Sequence, residues 1–207
     1  MKIIEVLKNY KLITAFFAVL FLASCSSDDD AAPEEENEVE IITDLTLVFT
    51  NSSDPSDVVM ASAQDPDGAG VQELEVLDAI NLTAGAEYIL TLEILNALDS
   101  EDIEDITEEI VEEADEHQFF FSFTEDAFAN PNGDGNIDNS SDPLNYNDED
   151  ENGNPIGLST SWTTAATATA DGTFTIVLQH QPDIKSATTG ATDGDTDINV
   201  RFALNIQ

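Results

Sequence analysis

Period-two alternation of apolar and polar side chains recurs along this chain, and it limits the fold more than any other feature. Successive side chains of a strand point to opposite faces, so such a run gathers its apolar groups on one side. From Ile41, Leu45, Leu47 and Phe49 share one face and Thr46, Val48 and Thr50 the other. Shorter runs at 57–64 and 71–77 flank the turn Asp65-Pro66-Asp67-Gly68-Ala69-Gly70. Residues 87–95 set Tyr88, Leu90, Leu92 and Ile94 against Ile89, Thr91 and Glu93, and further runs occupy 117–123, 158–164, 173–180 and 196–206. About eight strands, bounded by Gly, Asn, Asp and Pro turns, predict an all-β antiparallel β-sandwich of Ig-like or jelly-roll-like kind over 41–207.

One segment breaks the period. In 99–116 (DSEDIEDITEEIVEEADE), Ile103, Ile106, Ile110 and Ala114 fall at helical spacing with acids on the remaining faces. The spacing predicts a short acidic helix near 100–116, capped by Asp99 or Ser100. Residues 125–156 show no period, and loops of that length in a compact domain are usually functional or disordered.

The beginning of the chain has another character. Lys2, Lys8 and Lys11 precede an uncharged run from Leu12 to Leu22 that ends in small residues before Cys25, the layout of a secretory signal over 1–24. The run is too short to span a bilayer, which takes about 20 apolar residues. Leu22-Ala23-Ser24-Cys25, containing the only cysteine, resembles the bacterial lipobox. That resemblance implies an acylated Cys25 at the start of the mature chain and outer-membrane localisation through the lipid. Asp28-Asp29-Asp30 resembles the acidic export tag of Bacteroidetes lipoproteins, which implies the cell surface. Residues 25–40 are poor in branched apolar side chains and read as a disordered acidic tether.

Charge excludes several function classes. The chain carries a formal −39, and beyond the signal only Lys185 and Arg201 oppose the carboxylates. Such a field repels phosphates, so neither nucleic acid nor an anionic lipid surface is an expected partner. Self-repulsion of this size calls for screening salt or bound cations. With Cys25 carrying lipid, no disulfide is available.

Two groups of residues suit a cation. Asp148, Asp150 and Asn152 before Gly153 fit D-x-[DN]-x-[DN]-G, and Asn130, Asn132 and Asp134 before Gly135 fit it with Asn in first place. Alternate oxygens of a tight loop can converge on Ca²⁺, although the Glu twelve places on that completes an EF-hand is missing from both. The competing reading is that Asp/Asn/Gly loops make good turns without a metal. The second group is nitrogen-based: His117, His180, Glu113 and Glu116 can converge on Zn²⁺ or Cu²⁺. Against this stands a pair of histidines that merely end strands beside acids. No G-x-S-x-G elbow, H-E-x-x-H or phosphate loop is present, so enzymatic activity is not expected.

EDITEEIVEEADEHQFFFSF (104–123), NDEDENGNPIGLSTSWTT (147–164), LQHQPDIKS (178–186) and GDTDINVRFALNI (194–206) together resemble a family of small Bacteroidetes lipoproteins to which no activity attaches. The resemblance directs attention to His117, His180, Asp183 and the 148–154 loop; the chain departs from it at Ala69. The expected function is thus a lipid-anchored surface protein, binding or structural, with cation-binding acidic loops and an outer-membrane receptor or an external polymer as partner. A transition-metal or solute-capture lipoprotein serving an uptake system, and an acid-pair glycan hydrolase, are the alternatives.

Overall fold

The computed structural model describes residues 40–65, 74–137 and 143–207. The signal, Cys25, nearly all of the tether, and most of the 65–70 turn lie outside the described residues.

The alternating runs become two packed sheets. In the larger, β1 (Asp44–Asn51) lies between β2 (Val58–Gln64) and β5 (Glu87–Asn96). The two-residue β3 (Glu75–Val76) pairs with β2 on one flank. On the other, β9 (Ser159–Thr164) follows β5, with β8 (Phe128–Asn130) beyond it, and β6 (Glu104–Asp105) pairs separately with the end of β5. The smaller sheet runs β4 (Ile80–Leu82), β11 (Asp195–Ile206), β10 (Thr169–His180), β7 (His117–Phe123). All pairs are antiparallel except β4 with β11. This is the expected all-β sandwich, with short strands at 80–82, 104–105 and 128–130 that carry too few residues to show a period.

The core lies between the sheets. Leu45, Leu47 and Phe49 of β1 and Leu90, Leu92 and Ile94 of β5 are buried on one side, against Phe174, Ile176 and Phe202 on the other. Trp162 sits edge-on or tilted to Phe121, Phe123, Phe128 and Phe174 at ring separations of 4.8 to 5.7 Å, favourable aromatic geometries. Its indole N–H donates to Thr160 Oγ1 at 2.7 Å. The outward-facing Gln118, Phe120, Val177 and Gln179 are buried as well, and Gln179 donates to the Ala191 carbonyl of a covering loop. A strand covered on both faces loses its alternation, hence the continuous HQFFFSF.

The helix is shorter than its pattern. α1 spans Ile106–Glu112 only, capped by Asp105, whose carboxylate accepts from Thr107 N at 3.0 Å. Upstream, Asp99 accepts from Glu101 N in a local turn and 104–105 pair with β5, so the backbone there has partners outside a helix. Ile106 and Ile110 are buried, whereas Ile103 is exposed. The aperiodic 125–156 region clamps the free edge of β7: Phe119 N donates to Ile156 O, Phe123 N to Asp134 O, and Phe121 N to Asn136 Oδ1. Gly135 permits that approach, since it has φ +97° and a Cβ there would collide with the Phe121 carbonyl.

Candidate metal centre

Strand register brings the two histidines together. His117 opens β7, His180 closes β10, and they are direct cross-strand partners. Such pairs hold their Cβ atoms about 4.5–5.5 Å apart. Here the rings stack, with centroids 4.4 Å apart and planes within 8°. Gly194 (φ +99°) lets the start of β11 pass against the His180 carbonyl, where a side chain would clash.

The turn after α1 completes the cluster. Glu116 N donates to Glu113 O at 2.9 Å, folding 113–116 back over the start of β7. His117 Nδ1 lies 3.2 Å from Glu113 O and 3.9 Å from Glu113 Oε2. A carbonyl only accepts, so Nδ1 carries the proton and Nε2 keeps its lone pair. That Nε2 is buried and meets no hydrogen-bond partner among the described residues. His180 Nε2 lies 3.1 Å from Glu116 Oε2. Among the described residues, Glu113, His117 and His180 form the one group of acids, histidines or cysteines suited to a metal, each offering a ligand atom within 4.8 Å of the others.

Electrostatics leave the site short of positive charge. Burial, helped by His180 and Lys185 and opposed by the Glu113 carbonyl, lowers the His117 pKa to about 4, so its imidazole is neutral at physiological pH. Burial raises Asp197 to about 6, opposed by His180 and reinforced by Asp195. Burial also raises Glu40 to about 7, together with charge repulsion and a carboxyl–carboxyl hydrogen bond at Glu109 and the charges of Glu113 and Asp197. Neutral nitrogen beside several carboxylates is a donor set for a borderline divalent ion such as Zn²⁺ or Cu²⁺.

The acidic loops are arranged otherwise. Asp148 Oδ1 accepts from Gly157 N and Oδ2 from Ser159 N, both at 2.8 Å. Asp150 Oδ1 accepts from Asn152 N and Asn154 N, and its Oδ2 lies 3.2 Å from Lys185 Nζ. Lys185 thus stands where the loop's spacing suggested a cation, and its ammonium also donates to Ala114 O at 2.5 Å, just past α1. Asn130 Oδ1 accepts from Asn145 Nδ2, and Asn132 and Asp134 are exposed. The local bonds of Asp150 to Asn152 N and Asn154 N are those of a turn, and the remaining partners are other protein groups.

Sequence reading found Glu113, Glu116, His117 and His180 because the chain holds only two histidines. It missed Asp197, which the fold sets near His180, and Glu40, which the fold sets near Glu109, Glu113 and Asp197; neither carries a signal in the sequence. The chain matches no family model, no curated protein and no solved structure.

Proposed function

We propose that this protein is a non-enzymatic metal-capture lipoprotein, held at the outer membrane by lipid on Cys25 and presenting its sandwich at the cell surface. Zn²⁺ or Cu²⁺ binds at Glu113, His117 and His180, with Glu116 at hand. The single observation carrying this reading is the cross-strand histidine pair with a carboxylate, three ligand atoms within 4.8 Å of one another. The buried, unpartnered Nε2 of a neutral His117 supports it, because a ligand histidine commonly donates its other ring nitrogen to a carbonyl or carboxylate. An outer-membrane uptake receptor is the partner such a role requires. The oxygens of Asp148 and Asp150, all already engaged by protein donors, favour the histidine pair over the 148–154 loop as the place for a specific ion.

Calorimetric titration of the full chain with Zn²⁺, Cu²⁺ and Ca²⁺ tests this. The expected result is 1:1 binding of Zn²⁺ or Cu²⁺ that is lost in His117→Ala and in His180→Ala. Binding of Ca²⁺ alone, or metal binding that survives both substitutions, overturns it.

A further inference from the structure

One half-buried carboxylate near the histidines, with one oxygen shut off from solvent, is left without a role by the three-ligand site. Ile198 faces Leu178 and Thr196 faces Gln179, so Asp197 is an extra residue with no ladder partner, a β-bulge one register step from His180. Bulges re-aim side chains and are concentrated beside functional sites. Asp197 Oδ2 is buried and meets no hydrogen-bond donor among the described residues, as His117 Nε2 also does not. Burying a carboxylate oxygen without a donor is costly, and such groups in native folds call for a water or an ion to answer them.

We propose that Asp197 is a fourth ligand, making with Glu113, His117 and His180 a two-nitrogen, two-carboxylate set for Zn²⁺. This rests on the metal reading above. Asp197 lies beyond the group whose ligand atoms fall within 4.8 Å, on the His180 side, so it closes onto an ion that the other three receive first. Four protein donors fill the tetrahedral preference of zinc and leave no position for water or substrate, which suits an ion that is held and not one that hydrolyses. The same set disfavours Cu⁺, which selects thiolate and thioether, and Ca²⁺, which takes six to eight oxygens.

Asp197→Asn in the full chain is the test, with zinc titration and melting of the metal-free protein measured on the same preparation. Groups that merely orient a ligand cost about 10–100-fold in metal affinity when removed, so a ligand is expected to cost at least tenfold. At the same time the metal-free melting temperature is expected to hold or rise, since an unanswered buried carboxylate oxygen has been removed. Unchanged zinc affinity overturns the fourth ligand. Loss of affinity together with a lower melting temperature makes Asp197 a structural group and overturns it too. If His117→Ala abolishes zinc binding while Asp197→Asn does not weaken it, the three-ligand site stands alone; if the unsubstituted chain binds Cu²⁺ but no zinc, the fourth ligand falls, and if it binds neither ion both readings fall.

Discussion

Lys185 shows what a single residue carries in so acidic a protein. Its side chain and that of Asp150 are almost completely buried, 3.2 Å apart, and the ammonium ties the 148–154 loop to the Ala114 carbonyl after α1. Removing one partner of a buried pair leaves an uncompensated charge, which costs about 3–5 kcal/mol. Lys185→Met is therefore expected to lower stability by that amount in urea denaturation, and Lys185→Met combined with Asp150→Asn to recover part of it. The pair also sets a pH response. Burial alone would raise the Asp150 pKa, but the Asn154 N–H and Lys185 outweigh it and the net shift is downward. The unfolded chain then takes up the proton before the folded one, so this contribution is full above the ordinary carboxylate range and is lost as pH falls through the folded value. The expected urea midpoint declines below about pH 4, and more shallowly in Asp150→Asn. None of this was legible in the sequence. The spacing of Asp148, Asp150 and Asn152 announces oxygen donors, but whether a metal or a lysine 35 positions on meets them is decided by loop packing that carries no local signature. His117 and His180 were legible because they are scarce, and because each stands at one end of an apolar run that already marked a strand.

At the scale of elements, the strands were readable wherever one face is buried and the other wet, as in β1 and β5, since that contrast is the period itself. α1 was readable in kind but not in extent. Its stripe of Ile103, Ile106, Ile110 and Ala114 begins ahead of the helix, where Glu104 and Asp105 form β6 and pair with β5 instead. What fixes the start is Asp105 as cap, and what docks the element is Thr107, whose hydroxyl accepts from Ile94 N at 2.8 Å and reaches Ile94 O at 3.2 Å. Replacing a capping Asp by Ala costs about 1 kcal/mol. Asp105→Ala is expected to reduce the unfolding free energy by that amount. It is also expected to weaken zinc binding, because the turn holding Glu113 begins where α1 ends. A melting curve and a zinc titration of the same variant check both; an unchanged melting temperature would mean that the β5 docking alone holds the helix.

For the whole molecule, net charge is the quantity that sequence reading captures best, since packing shifts only a few of its many carboxylates. Among the described residues the basic side chains are Lys185 and Arg201. Lys185 is spent inside the fold, and Arg201 Nε lies 3.3 Å from Thr175 Oγ1 on the smaller sheet. The acids outside therefore repel one another almost without compensation, and the Debye length sets how strongly: about 30 Å at 0.01 M salt and about 8 Å at 0.15 M. Raising NaCl across that interval is expected to raise the melting temperature of the metal-free protein, with little further gain from electrostatic screening once the screening length is shorter than the spacing between surface carboxylates. A bound ion behaves differently. Zinc at the histidine pair stabilises by mass action, growing with the ratio of free ion to dissociation constant: about 2.7 kcal/mol at a hundredfold excess over that constant. Melting at 0.5 M NaCl with and without Zn²⁺ separates the two effects. A zinc-dependent rise that persists in high salt and disappears in His117→Ala belongs to the site, whereas one that salt abolishes is only the neutralising of an acidic surface.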